Sequence, residues 1–213
     1  MPKVAVTKTG AAWGEQVPSR DEQHDMKRRA ILRASALLFS EQGFRETSLN
    51  DIAGALNVTK PTLYYYVKNK DDILFQCLHT ALEDLEVRIS LLDKAETSGL
   101  GKLEKFVEAF ITLFDDELGR CVARPGLDPL SDSYRAKIQP FYGRVDARLR
   151  DIIGRGIEDG TIRQCDPKIA AFTLFGAMNW IIKWFDPAQG YSAADIAAQM
   201  NELFINGMRG DSK

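Results

Sequence analysis

Apolar residues recur at helical spacing along most of the chain, and period-two runs are hard to find. In MKRRAILRASALLFSEQGF, Ile31, Ala34 and Leu38 fall on one face, which predicts a first helix. Gly43 suits the left-handed position just past its end, and Phe44 stands where a hydrophobic contact back onto the last turn is usual. TSLNDIAGAL places Leu49, Ile52, Ala53 and Leu56 on one face, opened by a Ser48/Asp51 capping pair. Asn57 sits where a tight turn needs a positive φ, which asparagine tolerates. Thr59 is in place to cap a third short helix, with Pro61 in its first turn. Asn69, with Asp72 as its partner, opens a long fourth helix striped by Leu74, Leu78, Leu85, Ile89 and Leu92.

Helix, short helix, four-residue turn, short helix is a helix-turn-helix pattern. Helices this short are unstable alone because nucleation is costly. They must pack on the first and fourth helices, through Ile31, Leu38, Ile52, Leu56, Val58, Leu63 and Val67. Three tyrosines in a row, Tyr64, Tyr65 and Tyr66, then pose a geometric question. With Leu63 pointing inward, a step of about 100° per residue turns Val67 inward and leaves Tyr66 at the edge. The same step puts Tyr64 on a flank and Tyr65 on the outside, roughly 200° from Leu63. Lys60, Lys68 and Lys70 stand around them. A phenol can donate to a phosphate oxygen while its ring packs on sugar, and lysines neutralise backbone charge. Tyr64 and Tyr65 therefore read as contacts to double-stranded DNA, and Tyr66 as core edge.

Farther on, Phe106, Phe110 and Phe114 recur at helical spacing, a stripe that serves either as core or as the wall of an apolar cavity. Tyr134, Ile138, Phe141, Val145, Leu149 and Ile152 keep one register, with Pro140 expected to kink or restart that helix. Asp166 and Pro167 open a helix that is apolar all round and hence covered on both sides. A Ser192/Asp195 pair opens the last helix, which presents Ile196, Met200 and Leu203. With no segment left to cover these two late helices, they are expected to pair with their copies as a four-helix homodimer interface. Trp180 and Trp184, beside Asn179, either pack in the core and interface or border a pocket with Phe110, Tyr142 and Phe175.

Composition changes this picture little. The 213 residues are 45% hydrophobic and 27% charged, as in an ordinary soluble globular protein. The net charge of -2 hides an asymmetry. Residues 20–70 hold 9 Lys/Arg against 6 Asp/Glu, whereas residues 71–213 hold 17 against 23. A basic front on an acidic body points toward an anionic partner. The segment 1–22 shows no apolar period and reads as a flexible arm, either idle or, through Lys3 and Lys8, touching phosphate. Cys77, Cys121 and Cys165 are scattered, without metal spacing, and read as buried thiols in a reducing compartment. There is no secretory h-region, and the longest apolar run is too short to span a membrane. A cytoplasmic protein is expected, with no membrane partner.

The stretch from Lys27 to Leu85, a basic first helix ending in SEQGF followed by TSLNDIAGALNVTKPTLYYYVKNKDDIL, resembles the TetR family of bacterial transcriptional regulators. The resemblance implies an all-α homodimer of about nine helices: a three-helix helix-turn-helix DNA-binding head over 23–70 and a helical ligand-binding and dimerisation body over 71–213. It implies phosphate contacts from Thr47 or Ser48, Tyr64, Tyr65 and Lys70, with Lys60 reaching into the major groove. Pro61 stands where some members have glycine and offers no amide to a base. Base reading is then left to ring contacts or to neighbours such as Lys60 and Thr62, and the expected DNA surface is completed by Thr59 and Lys68. AMNWIIKWFDP is similar to a subset of the family that responds to acyl-CoA thioesters. In that reading Phe106, Phe110, Phe114, Tyr142, Phe175, Asn179 and Trp180 line the effector site, and Lys183, Arg120 and Arg124 serve the CoA phosphates. The whole reads as a ligand-responsive repressor on a palindromic operator; a DNA-binding dimer without an effector is the alternative. An enzyme is not expected: only His24 and His79 are present, with no G-x-S-x-G, metal spacing or phosphate loop, and no cofactor is called for.

Overall fold

In a computed structural model, the described residues are 19–123, 126–185 and 190–208, and every regular element among them is helical. The head comprises α1 (Arg20–Glu41), α2 (Leu49–Ala55) and α3 (Lys60–Tyr64). α4 (Lys70–Ser90) runs from the head into the body, which adds α5 (Gly99–Ile111), α6 (Glu117–Ala123), α7 (Asp132–Glu158), α8 (Pro167–Trp184) and α9 (Ala193–Met200). A π turn over Asn201–Ile205 carries α9 into a last turn, α10 (Asn206–Met208). Lys3, Lys8 and Arg124 lie outside the described residues.

Local chemistry sets the boundaries. Ser19 and Glu22 form a capping box that starts α1 at Arg20, inside the stretch that composition assigned to an arm. Ser48 and Asp51 form a second box at α2, and their bond holds the Asp51 carboxyl below its ordinary value. Gly43 (φ +97°) and Asn57 (φ +53°) are both left-handed, and the Phe44 ring folds back to 5.0 Å from Phe39. Thr59 holds the N-cap position of α3 but does not cap it: its hydroxyl pairs with that of Thr62 at 2.9 Å.

One continuous core joins head to body. In α1 the deepest residues are Leu32, Ala36 and Phe39, with Ile31; Ala34 and Leu38 lie at the margin. The sequence stripe missed this because α1 packs on α4 and α6 as well as on α2, which widens its apolar sector. Val58, expected in the core, is 37% exposed, since its amide closes the turn onto the Ala53 carbonyl and its side chain is left outside. α4 buries Leu74, Leu78, Leu85 and Ile89 as its stripe demands. α5 crosses α7 with backbones in contact: a Cβ on Gly99 would sit 2.2 Å from Gly156 Cα. Its first amides are met from the end of α7, Gly99 N–H by Asp159 and Leu100 N–H by Thr161. α7 runs unbroken through Pro140, which stands on the exposed side, where a carbonyl deprived of its donor is open to water.

α8 departs most from expectation. Ala171, Leu174, Met178 and Ile181 are buried, but Ile169, Phe172, Trp180 and Trp184 are exposed. Tyr191, Leu203 and Phe204 extend this apolar face. Two hollows of about 430 and 400 Å³ lie on it, sharing Leu203 and Phe204. Within a single chain the helix is covered on one side only. No helix among the described residues is long and apolar enough to cross a membrane.

Candidate nucleic-acid interface

α3 is held by Leu63, fully buried, and by Val67, 2% exposed in the turn that follows. That anchoring turns Tyr64 (51%) and Tyr65 (66%) outward, with Tyr66 half-buried between them and the core. Thr59, Lys60, Thr62 and Lys68 share the exposed surface. Among the described residues the Lys60 and Lys68 side chains have no hydrogen-bond or ion-pair partner. Ser48 is also exposed; its Oγ accepts from the Asp51 amide, which leaves the hydroxyl proton to donate outward. The result is an exposed set of phenols, hydroxyls and ammonium groups, suited to a polyanion.

Two expected contacts are placed otherwise. Thr47 is 1% exposed, and its hydroxyl donates inward to the Gly43 and Leu38 carbonyls at 2.8 and 3.3 Å. It secures the end of α1 and offers nothing to a phosphate. Lys70 directs its ammonium to three carbonyls, Phe44 at 2.6 Å, Thr47 at 2.9 Å and Arg45 at 3.1 Å. It also lies 4.5 Å above the Phe44 ring. All three of its donors are taken, so it clamps the α1–α2 loop to the start of α4.

Nothing in the local sequence marks the network at that same helix start. Asp72, 7% exposed, accepts from the Lys68 amide (2.8 Å), Gln76 (3.0 Å) and the Tyr134 hydroxyl (3.0 Å). Asp71 takes the Ser131 amide, and Arg28 reaches Gln76 from α1. The Tyr134 ring stacks on Phe75 at 4.6 Å. Burial, then the bond to Asp72, pushes the Tyr134 phenol above its ordinary range. The start of α7 in the body is thus tied to the joint between α3 and α4 in the head. His24, named from sequence only as one of two histidines, joins the same surface. Its ring lies 4.7 Å from Tyr66 and 5.5 Å from Tyr65.

The residues named for an effector divide between the core and the outer side of α8. Phe106, Phe110 and Phe114 are buried, with Phe106 and Phe110 meeting Phe175 at 6.1 and 5.7 Å, and they pack as core. Asn179, Trp180 and Lys183 are on the outer side of α8, and Arg120 is half-buried on α6. The stripe was ambiguous in sequence because core and cavity wall use the same residue types. Tyr142, on α7, stands apart. Burial pushes its phenol up to about 12, and among the described residues nothing hydrogen-bonds its hydroxyl.

A helix-turn-helix head carrying this surface, on a helical body, defines a DNA-binding regulator. Residues 31–77 match the model for bacterial regulatory proteins of the tetR family, and residues 96–208 match the tetracyclin repressor-like C-terminal domain. The HTH-type transcriptional regulator HbdR of Aromatoleum sp. (strain CIB) is 34% identical over 171 residues, spanning 79% of this chain and 75% of that one. Among solved structures, the TetR-family regulator PfmR of Thermus thermophilus superposes with a TM-score of 0.76 at 29% identity, covering 86% of this chain and 99% of that one. AibR in complex with isovaleryl coenzyme A and operator DNA gives 0.74 at 27%, covering 84% and 98%. The chain belongs to the TetR family of transcriptional regulators and is not an enzyme.

Proposed function

We propose that this regulator is a cytoplasmic homodimeric repressor whose two α3 surfaces enter successive major grooves of a palindromic operator, about 34 Å apart. The carrying observation is the outward pair Tyr64 and Tyr65 beside Lys60 and Lys68, which have no partner among the described residues, fixed by buried Leu63 and Val67. Ser48, Tyr64 and Tyr65 take phosphates, Lys60 and Thr62 face base edges, and Lys68 adds charge. Dimerisation buries the Ile169, Phe172, Trp180 and Trp184 face of α8 against its copy.

The effector is a small apolar molecule or acyl-CoA thioester bound in the body. The isovaleryl coenzyme A in the AibR complex supports that class. Such a molecule releases the operator only by binding the displaced state more tightly; equal affinity shifts nothing. The close burial of Phe106, Phe110 and Phe114 favours a second reading, in which the body is solid and the dimer acts without an effector. Both are tested by selecting duplexes from a random pool and titrating the complex with short- and medium-chain acyl-CoA esters. A selected palindrome released by one ester supports the first reading. A palindrome released by none, with no thermal shift, supports the second.

A further inference from the structure

Tyr65 is the C-cap of a helix only five residues long, so regular structure does little to orient its ring. Its orientation is set by two neighbours: Tyr66, edge-on at 5.0 Å, and His24 of α1, edge-on at 5.5 Å. His24 also lies against Tyr66 at 4.7 Å, tilted by 36°, so the three rings form a closed triangle. Two members are half-buried and the third, Tyr65, projects into solvent. The capping box at Ser19 and Glu22 fixes the turn of α1 that carries His24. α1 therefore supplies one wall of the seat in which an exposed aromatic of the DNA surface rests.

We infer that His24 is a positioning residue for operator binding, holding the Tyr65 ring in the orientation in which its hydroxyl meets a phosphate. This rests on the reading of Tyr65 as a DNA contact. A ring that rotates freely must be ordered on binding, which costs affinity; a ring already seated does not. An edge-to-face ring contact corresponds to roughly a twofold to tenfold change in an equilibrium constant. His24 acts through packing, so another flat ring can replace it.

The test is a double-mutant cycle on a labelled duplex selected by the wild-type protein from a random pool. His24→Ala is expected to weaken binding about threefold to tenfold. His24→Phe, which keeps a ring, is expected to restore it. In a Tyr65→Ala background, His24→Ala is expected to change nothing further, because its effect passes through the absent ring. Thermal unfolding of each variant separates positioning from loss of the head. If His24→Ala weakens binding equally with and without Tyr65, or leaves it unchanged, His24 has no positioning role, whatever Tyr65 itself does. If Tyr65→Ala leaves affinity unchanged, the reading of the DNA surface fails as well, so the two failures are distinct.

Discussion

The Lys70 ammonium has three hydrogens and three carbonyls around it, whereas Lys60 points to solvent with no partner among the described residues. Lysines ten residues apart in one motif thus do different work, and mutation separates them. Lys60→Ala is expected to leave unfolding unchanged and lower the slope of log K against log salt by about 1. Lys70→Ala is expected to cost about 1–3 kcal/mol in urea denaturation, because charge-assisted bonds to the loop carbonyls are lost. Any loss of DNA affinity in that variant should follow the loss of the head rather than the salt slope. Tyr142 makes a spectroscopic case. Its folded pKa, raised to about 12, means that the neutral phenol is the form the fold holds. Its contribution to stability is therefore complete below the ordinary tyrosine value of about 10 and is lost as pH rises through about 12. Alkaline absorbance titration should show two of the six tyrosines, Tyr134 and Tyr142, ionising late, and Tyr142→Phe should abolish the step near 12.

Between elements, α4 is where the head and body meet. Asp72 gathers donors from the α3–α4 turn, from α4 itself and from α7, so a shift of α7 is felt at Lys68, three residues after Tyr65. Tyr134→Phe is expected to cost about 1 kcal/mol, and Asp72→Ala more, because it strands all three donors. The double variant should be less destabilised than the sum, which chemical denaturation of the four proteins would show. This network was not legible in the sequence: Asp72 and Tyr134 are 62 residues apart, and neither has a distinctive local signature. The caps at Ser48, Asn69, Asp166 and Ser192 were legible, because each is a bond between residues two or three apart. So were Gly43 and Asn57, whose left-handed conformations few other residues tolerate. The facing of Tyr64 and Tyr65 followed from the helical step once Leu63 was taken as core. The partners of Thr47 and Lys70 in this structure are backbone carbonyls, which a sequence does not display. The effector residues scattered for a different reason: apolar residues on α5 and α8 share a register but not a direction.

At the scale of the whole molecule, the proposed homodimer uses the uncovered face of α8. A large apolar side chain withdrawn from water contributes about 1.5–3 kcal/mol, and Phe172, Trp180 and Trp184 are all available for that. Phe172→Glu combined with Trp180→Glu is expected to give a folded monomer in sedimentation, with helical circular dichroism unchanged. A variant that stays dimeric would place the interface elsewhere. In the proposed complex the exposed surface of α3 and its following turn, set by Leu63 and Val67, is what meets DNA. This contact is the one to test. It is tested most directly by salt titration of a selected duplex against wild-type protein and a Tyr64→Ala/Tyr65→Ala variant of equal thermal stability. The variant is expected to bind at least about tenfold more weakly, through two lost phosphate hydrogen bonds. Equal affinity and an equal salt dependence for the two proteins would contradict it.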